Sequence, residues 1–139
     1  MILVLDASAL LACEDSADPH YGPMRELVVL PVRSLTLDLA RYETANVAIH
    51  SWRSPEAADR LRRRLASMDA DRAVISGSEE LLGAAVGIAE RYRISVYDAS
   101  YAAAARAVGA QLVSCDVRDL VSNGLAILPA DALALEGAS

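Results

Sequence analysis

The stretch ILVLDASALLA, residues 2–12, decides the fold. Its first four residues form a continuous apolar run, which is typical of a strand buried on both faces of a parallel sheet. Asp6 interrupts this run, and the sequence ASALLA then begins a helix. A buried strand that passes directly into a helix predicts an α/β fold with an acidic side chain at the junction.

The same alternation of strand and helix continues along the chain. Other short apolar segments predict strands: SLTL at 34–37, AVIS at 73–76, ISVY at 94–97, QLVS at 111–114 and LAIL at 125–128. The strand pattern is weakest in AVIS and ISVY. Helical patterns occupy the intervals, at about 24–29, 38–53, 55–68, 78–93, 98–108 and 117–122. This order favours a three-layer α/β/α sandwich with a central, mainly parallel sheet.

No shift in composition and no linker divides the chain. We therefore expect a single domain over residues 1–139, in which 129–139 are a marginal C-terminal tail. The alanine run at 102–105 predicts that its helix lies close to the sheet, because its side chains are small.

The charged residues exclude several classes of protein. The formal net charge is -6, and all 13 basic residues of the Lys+Arg count are arginines. Without lysine the chain cannot be a P-loop nucleotide-binding protein or an enzyme that forms a Schiff base on a lysine. The acidic balance also argues against sequence-independent binding to nucleic acid, which requires a basic face.

The cysteines and the apolar segments indicate the cellular compartment. The 2 cysteines, Cys13 and Cys115, are far apart, which makes a disulfide framework or a zinc site improbable and favours reduced thiols. The N-terminal segment has a superficial likeness to a signal peptide, but it carries no basic residue before its apolar run, and Asp6 interrupts it. No segment approaches the roughly 20 apolar residues that cross a bilayer. We expect a cytoplasmic protein with no membrane partner.

Four acidic residues are expected at one edge of the sheet. Asp6, Asp98 and Asp116 each follow an expected strand, and Glu43 lies in the second turn of the helix after SLTL. Each has a simpler structural explanation: Asp6 and Asp98 as helix N-caps, Asp116 in an Asx-turn, Glu43 as a solvated helix residue. Together, however, four carboxylates repel one another unless a cation neutralises them. Oxygen ligands without histidine or cysteine suit one or two Mg²⁺ or Mn²⁺ ions, so we expect a metal-dependent phosphodiesterase.

Four motifs resemble those of the PIN-domain ribonucleases, most closely the small VapC-type toxins of toxin–antitoxin pairs. They are LDASALLA with Asp6, ARYETANVA with Glu43 and Asn46, VYDASYAAAA with Asp98, and LVSCD with Asp116. The resemblance implies that the four acids bind one or two Mg²⁺ or Mn²⁺ ions and cleave single-stranded RNA. It also implies an antitoxin partner and, with the apolar surplus, a homodimer.

The resemblance assigns supporting roles as well. Ser8 and Ser114 would support the site, and Asn46 would order the carboxylate of Glu43 from one turn away. Asp119 lies close enough to Asp116 to be the fourth acid in its place, although Asp116 is closer to the end of its strand.

Some basic and aromatic residues are candidates for contact with RNA. Arg106 and Arg118 lie near the expected site in sequence. The arginines at 60 and 62–64 could form an RNA-facing patch, but a solvated helix face is the simpler interpretation. The tyrosines fit a core or an interface better than a platform for nucleobases, although Tyr42 and Tyr97 flank site residues.

Two other functions remain open. A phosphoaspartate-type phosphatase or receiver domain also places acids at strand ends, but it typically needs a lysine near the phosphate. A dehalogenase-like phosphatase would also need an aspartate where Ser8 stands. The second alternative is a non-catalytic binding module with a PIN fold. The complete set of four acids argues against it.

Overall fold

A computed structural model describes residues 1–138 of the chain. Its strands are β1 (Ile2–Leu5), β2 (Arg33–Leu37), β3 (Val74–Ile75) and β4 (Gln111–Val113). Its α-helices are α1 (Ala7–Ala12), α2 (Tyr21–Leu27), α3 (Leu39–His50), α4 (Pro55–Ala70), α5 (Glu79–Tyr92), α6 (Val96–Ala107) and α7 (Pro129–Ala138). A single π-helical turn spans Val117–Val121.

The sheet is parallel throughout its paired strands, in the order β3-β2-β1-β4. The chain passes outward from β1 through β2 to β3, and it then crosses to the opposite side of β1 to form β4. The strand order therefore reverses between β1 and β4. In open α/β sheets the crevice beyond the carboxyl ends of such strands is the usual place for a ligand.

Helices flank this sheet and complete the expected three-layer α/β/α architecture. Helix α6 packs against β1, β2 and β4, and α5 packs beside it. The alanines at 102–105 of α6 are all buried, in agreement with the expected close approach of this helix to the sheet. Helices α1, α3 and α4 form the second group, in which α1 and α4 both contact α3.

The predicted strand ISVY is wrong. Helix α5 ends with Arg93 in the left-handed conformation, and Ser95 already serves as the N-cap of α6. The Ser95 hydroxyl oxygen accepts a hydrogen bond of 3.0 Å from the backbone N–H of Asp98. Because so few residues separate the end of one helix from the cap of the next, no strand forms there.

The last predicted strand, LAIL, is also wrong. Ile127 alone pairs with the sheet, through an isolated parallel bridge to Val113. The following residues begin α7 at Pro129, where a missing N–H costs a helix nothing. The segment expected to be a marginal tail is thus helical up to Ala138 and packs against α2, with Ala132 fully buried. Residue 139 lies outside the described part of the chain.

Within residues 1–138, none of the helices combines the length and the apolar character needed to cross a membrane.

Candidate metal centre

Asp6 is the most enclosed acid of the site, with 4% of its surface exposed. It directly follows β1 and is the N-cap of α1, where Oδ1 accepts the N–H of Ala9 at 2.9 Å. Two hydroxyls also donate to its carboxylate: Ser8 to Oδ1 at 2.6 Å and Ser114 to Oδ2 at 2.5 Å. Burial raises the pKa of Asp6 to about 6 against the lowering effect of these hydrogen bonds.

The two serines connect Asp6 to the loop that follows β4. The Ser8 oxygen accepts the N–H of Cys115 at 2.9 Å, and the Ser114 oxygen accepts the N–H of Asp116 at 3.0 Å. The ends of β1 and β4 are therefore joined side chain to backbone across the point where the strand order reverses. This arrangement holds the Asp6 carboxylate in one orientation.

Asp98 lies in the first turn of α6 and does not cap it. The cap is Ser95, so the expectation that Asp98 could be the N-cap is wrong. The Asp98 carboxylate is half-buried, and its pKa is raised first by burial and then by the negative charge of Asp116, while the Ser95 side chain lowers it. A position in the first turn also places this carboxylate near the positive end of the helix dipole.

Asp116 and Asp119 both lie beside Asp98. Asp116 is the N-cap of the π-helical turn, and its Oδ1 accepts the N–H of Asp119 at 3.0 Å. One carboxylate oxygen from each of the three residues lies within 4.8 Å of the others. Both candidates for the fourth acid, Asp116 and Asp119, therefore belong to one cluster with Asp98.

Glu43 approaches from α3 and is held by a residue of α6. The hydroxyl of Tyr101 donates a hydrogen bond of 2.7 Å to Glu43 Oε1, and the Tyr101 ring is buried. Burial and the charge of Asp98 raise the pKa of Glu43, whereas the hydrogen bond from Tyr101 lowers it. Tyr101 has no assigned role in the sequence analysis; its position three residues after Asp98, on the same helix face, was the available signal.

Asn46 is exposed, and within residues 1–138 it makes no hydrogen bond to Glu43. It does line a cavity together with Glu43, one helical turn away. The ordering role expected for Asn46 is therefore taken by Tyr101 in this structure.

Asp98 interacts electrostatically with each of the other acids of the site. Coulombic repulsion from Asp98 raises the pKa of both Asp6 and Glu43, and Asp116 and Asp119 act in the same direction on Asp98 itself. A divalent cation would relieve this repulsion. The donors are carboxylate oxygens and hydroxyls, which suit a hard cation such as Mg²⁺ or Mn²⁺. The residues of the site therefore fit a metal of that class.

The arginines are mostly engaged elsewhere. Arg118 is 92% exposed and lies 3.6 Å from an oxygen of Asp119. Arg106 is in the last turn of α6, about 12 Å along the helix from Asp98. Three of the α4 arginines form ion pairs, Arg60 and Arg64 with Glu14 and Arg63 with Asp59. Arg62 is exposed and forms no ion pair within residues 1–138.

Comparison with known proteins places this chain in a family. The PIN domain matches residues 3–135, whereas a search of curated proteins finds no match. A chain of a toxin–antitoxin complex from Klebsiella pneumoniae is 16% identical, with a TM-score of 0.69 over 91% of this chain and 97% of that chain. The sarcin-ricin-loop-cleaving VapC toxin of Mycobacterium tuberculosis is 19% identical, with a TM-score of 0.65 over 84% and 91%.

A third similar structure, from Pyrobaculum aerophilum, is 26% identical over 100% of both chains, with a TM-score of 0.68. At 16% and 19% identity, the similarity to the first two structures shows a common fold. The family match, however, extends over nearly the whole sequence. It includes most of β1, the whole of β4, and the acids Asp6, Glu43, Asp98, Asp116 and Asp119. This protein therefore belongs to the PIN domain family.

Proposed function

We propose that this protein is a metal-dependent endoribonuclease that cleaves single-stranded RNA. The observation that carries the proposal is the cluster of Asp98, Asp116 and Asp119, whose carboxylate oxygens lie within 4.8 Å of one another. Asp6 and Glu43 share the electrostatic field of that cluster through Asp98. Such a concentration of carboxylates at the strand-order reversal is suited to divalent metal and phosphodiester chemistry.

The metal proposed is Mg²⁺ or Mn²⁺, as one or two ions held by Asp98, Asp116 and Asp119 together with Asp6 and Glu43. When bound, such an ion supplies Lewis-acid stabilisation of charge on the phosphate and activation of a water nucleophile. The side chains of the protein position these groups. Ser8 and Ser114 fix the orientation of Asp6.

Glu43 and Asp98 have different surroundings in this proposal. Tyr101 donates a hydrogen bond to Oε1 of Glu43, and this bond leaves Oε2 available to the site. Asp98 is carried by the first turn of α6, which Ser95 caps. The proposed acids come from four separate segments of the chain, and the other four interact electrostatically with Asp98.

The biological setting proposed is that of a cytoplasmic toxin controlled by an antitoxin protein. It is supported by the family and by two similar structures, one of a toxin–antitoxin complex and the other of a toxin that cleaves an RNA loop. We also propose a homodimer. The exposed side chains of Leu82 and Val86, one turn apart on α5, provide an apolar surface for it.

A cleavage assay tests the proposed function. Single-stranded RNA is incubated with the protein in Mn²⁺ or Mg²⁺, with and without EDTA, and with the variants Asp6→Asn and Asp98→Asn. We expect cleavage that EDTA abolishes and that each variant reduces at least about a hundredfold. Asp59→Asn, which removes an exposed acid on α4, is the matched control and should cleave normally. Undiminished cleavage in both site variants contradicts the proposal.

The wild-type protein separates the nuclease from a non-catalytic binding module. A module would bind RNA without cleaving it, and failure of the wild type to bind Mn²⁺ in calorimetry would favour a module. A phosphoaspartate enzyme would instead form an acyl-phosphate on Asp6, which mass spectrometry detects, and the chain has no lysine to support that chemistry.

A further inference from the structure

Two exposed tyrosines stand beside the acidic site. Tyr42 directly precedes Glu43 in α3, and Tyr97 directly precedes Asp98 in α6. Tyr42 is 76% exposed and Tyr97 is 62% exposed, whereas Tyr101 of the same helix is buried. The expectation of a core role is therefore wrong for these two rings.

The two rings line one shallow cavity together with Glu43, Asn46 and Leu39. Its volume is about 290 Å³, at the lower end of the range of ligand pockets and thus suited to part of a larger ligand. An acid of the proposed catalytic set is consequently part of the wall of a cavity that has an aromatic ring on α3 and another on α6.

A second cavity adjoins the first through Tyr42. It has a volume of about 380 Å³, and Tyr42, Arg41 and Arg62 are among the residues that line it. Arg41 is paired with Asp69 at 3.2 Å, but Arg62 has no acidic partner within residues 1–138. Tyr42 therefore borders both the cavity that Glu43 lines and a cavity with an exposed positive charge.

The charges decide which part of a nucleic acid fits each cavity. Among residues 1–138, the lining of the first cavity includes the carboxylate of Glu43 and no basic side chain, so it offers a phosphate no counter-charge, whereas a neutral base needs none. Unpaired bases stack on aromatic side chains, and every base offers a face for this contact. In the second cavity the guanidinium of Arg62 favours a phosphate.

We propose that Tyr42 and Tyr97 form a stacking subsite for an unpaired nucleobase next to the phosphate held at the acids, and that Arg62 binds the following phosphate. This inference rests on the proposed ribonuclease function and specifies its substrate contact. A base inside a duplex cannot reach these rings, because its faces are already stacked. The subsite thus provides a physical basis for selection of single-stranded RNA.

Binding of a strand that stays intact during the titration tests the subsite apart from activity. The probe is a single-stranded 2′-O-methyl oligonucleotide with one 2-aminopurine, which is moved through each position in turn, in the presence of Mn²⁺. The oligonucleotide is checked for integrity after each titration. We expect quenching of the fluorescence at one position, and binding at least about fivefold weaker in Tyr42→Ala and in Tyr97→Ala.

Matched variants separate stacking from other effects. Tyr42→Phe and Tyr97→Phe keep the ring and should bind like the wild type, as should Tyr21→Ala, which removes a ring from α2. When the base at the quenched position is replaced by an abasic nucleotide, the wild type and both alanine variants should bind equally. Arg62→Ala should lower the salt dependence of binding and leave the quenching unchanged.

The inference is overturned if the alanine variants bind the intact strand like the wild type, or if they lose as much affinity for the abasic strand. It is also overturned if either variant changes the oligomeric state in light scattering, because the rings then belong to a contact between copies of the chain. Failure of the proposed function gives a different result, namely no RNA cleavage by the wild-type protein in Mn²⁺.

Discussion

The hydroxyl of Tyr101 donates a 2.7 Å hydrogen bond to Oε1 of Glu43 and thereby joins α6 to α3 at the acidic site. The two residues are 58 positions apart in the sequence. Because Tyr101 is buried in the core, its hydroxyl has a fixed position and orients the half-buried Glu43 carboxylate. Removal of the Tyr101 hydroxyl oxygen abolishes the hydrogen bond and keeps the packing of the ring, so the two effects can be measured separately.

The variant Tyr101→Phe should lose activity while it keeps the fold. The phenyl ring fills the same space, so the free energy of unfolding should change by no more than about 1–2 kcal/mol. Because the hydrogen bond lowers the pKa of Glu43, its loss raises that pKa, and the acidic limb of the pH–activity profile should move to higher pH. RNA cleavage between pH 5 and 9 is the measurement. An unchanged profile with full activity would show that the bond does not position Glu43.

The metal-free protein should become less stable as the pH rises through the titration range of Asp6. The pKa of Asp6 is about 6 in the folded protein and 3.8 ordinarily, so between these values the folded state binds more protons than the unfolded state. The associated stability is present below about pH 4 and is lost as the pH rises through 6, by up to about 3 kcal/mol. Urea unfolding in EDTA from pH 4 to 7.5 measures this contribution.

The variant Asp6→Asn carries no buried charge at this position. It should therefore be more stable than the wild type by about 1–2 kcal/mol at neutral pH in the absence of metal. The gain is smaller than the full titration effect because the amide cannot accept from both Ser8 and Ser114 as the carboxylate does. Mn²⁺ should stabilise the wild type and not the variant. Equal stability of both proteins in EDTA at pH 4 and at pH 7.5 would contradict the assigned pKa.

Asp116 and Asp119 should both contribute to metal affinity, but only Asp116 should also contribute to local stability. Asp116→Asn and Asp119→Asn should each weaken Mn²⁺ binding in calorimetry by about tenfold or more. Asp116→Ala should in addition destabilise the fold by about 1 kcal/mol, since the N-cap of the π-helical turn is lost, whereas asparagine still caps. If Asp119→Asn binds Mn²⁺ like the wild type, Asp116 is the fourth acid alone.

A larger side chain at Ala102 should loosen the site before the protein unfolds. Ala102 is buried on α6, one turn after Asp98, where that helix contacts the sheet. Ala102→Leu should destabilise the fold by about 1–3 kcal/mol and should weaken Mn²⁺ binding, because the helix that carries Asp98 moves outward. The exposed substitution Ala107→Leu on the same helix is the control, and equal Mn²⁺ affinity in the two variants would contradict the prediction.

The sequence predicted the α/β class and the location of Asp6 and Asp116 well, since both follow strands whose apolar runs are unambiguous. It predicted a strand at ISVY because Ile94 and Val96 are apolar and β-branched. The structure contains a helix cap there, since the Ser95 hydroxyl satisfies the free N–H of Asp98. The strand predicted at LAIL is wrong for a similar reason. A short apolar run does not reveal how many of its residues pair with a neighbouring strand, and here only Ile127 does.

The sequence by itself determined which side chains could meet. Parallel strands direct their carboxyl ends to one edge, so acids that follow β1 and β4 lie at the same edge of the sheet. The pairing of β1 with β4, which makes these acids neighbours, belongs to the tertiary structure. Only the tertiary structure decided that Tyr101 orients Glu43, that Asp119 joins Asp116 beside Asp98, and that Tyr42 and Tyr97 share one cavity. These contacts depend on the mutual packing of α3, α6 and the π-helical turn, whereas a local sequence pattern reflects the physical preferences of residues close together in the chain.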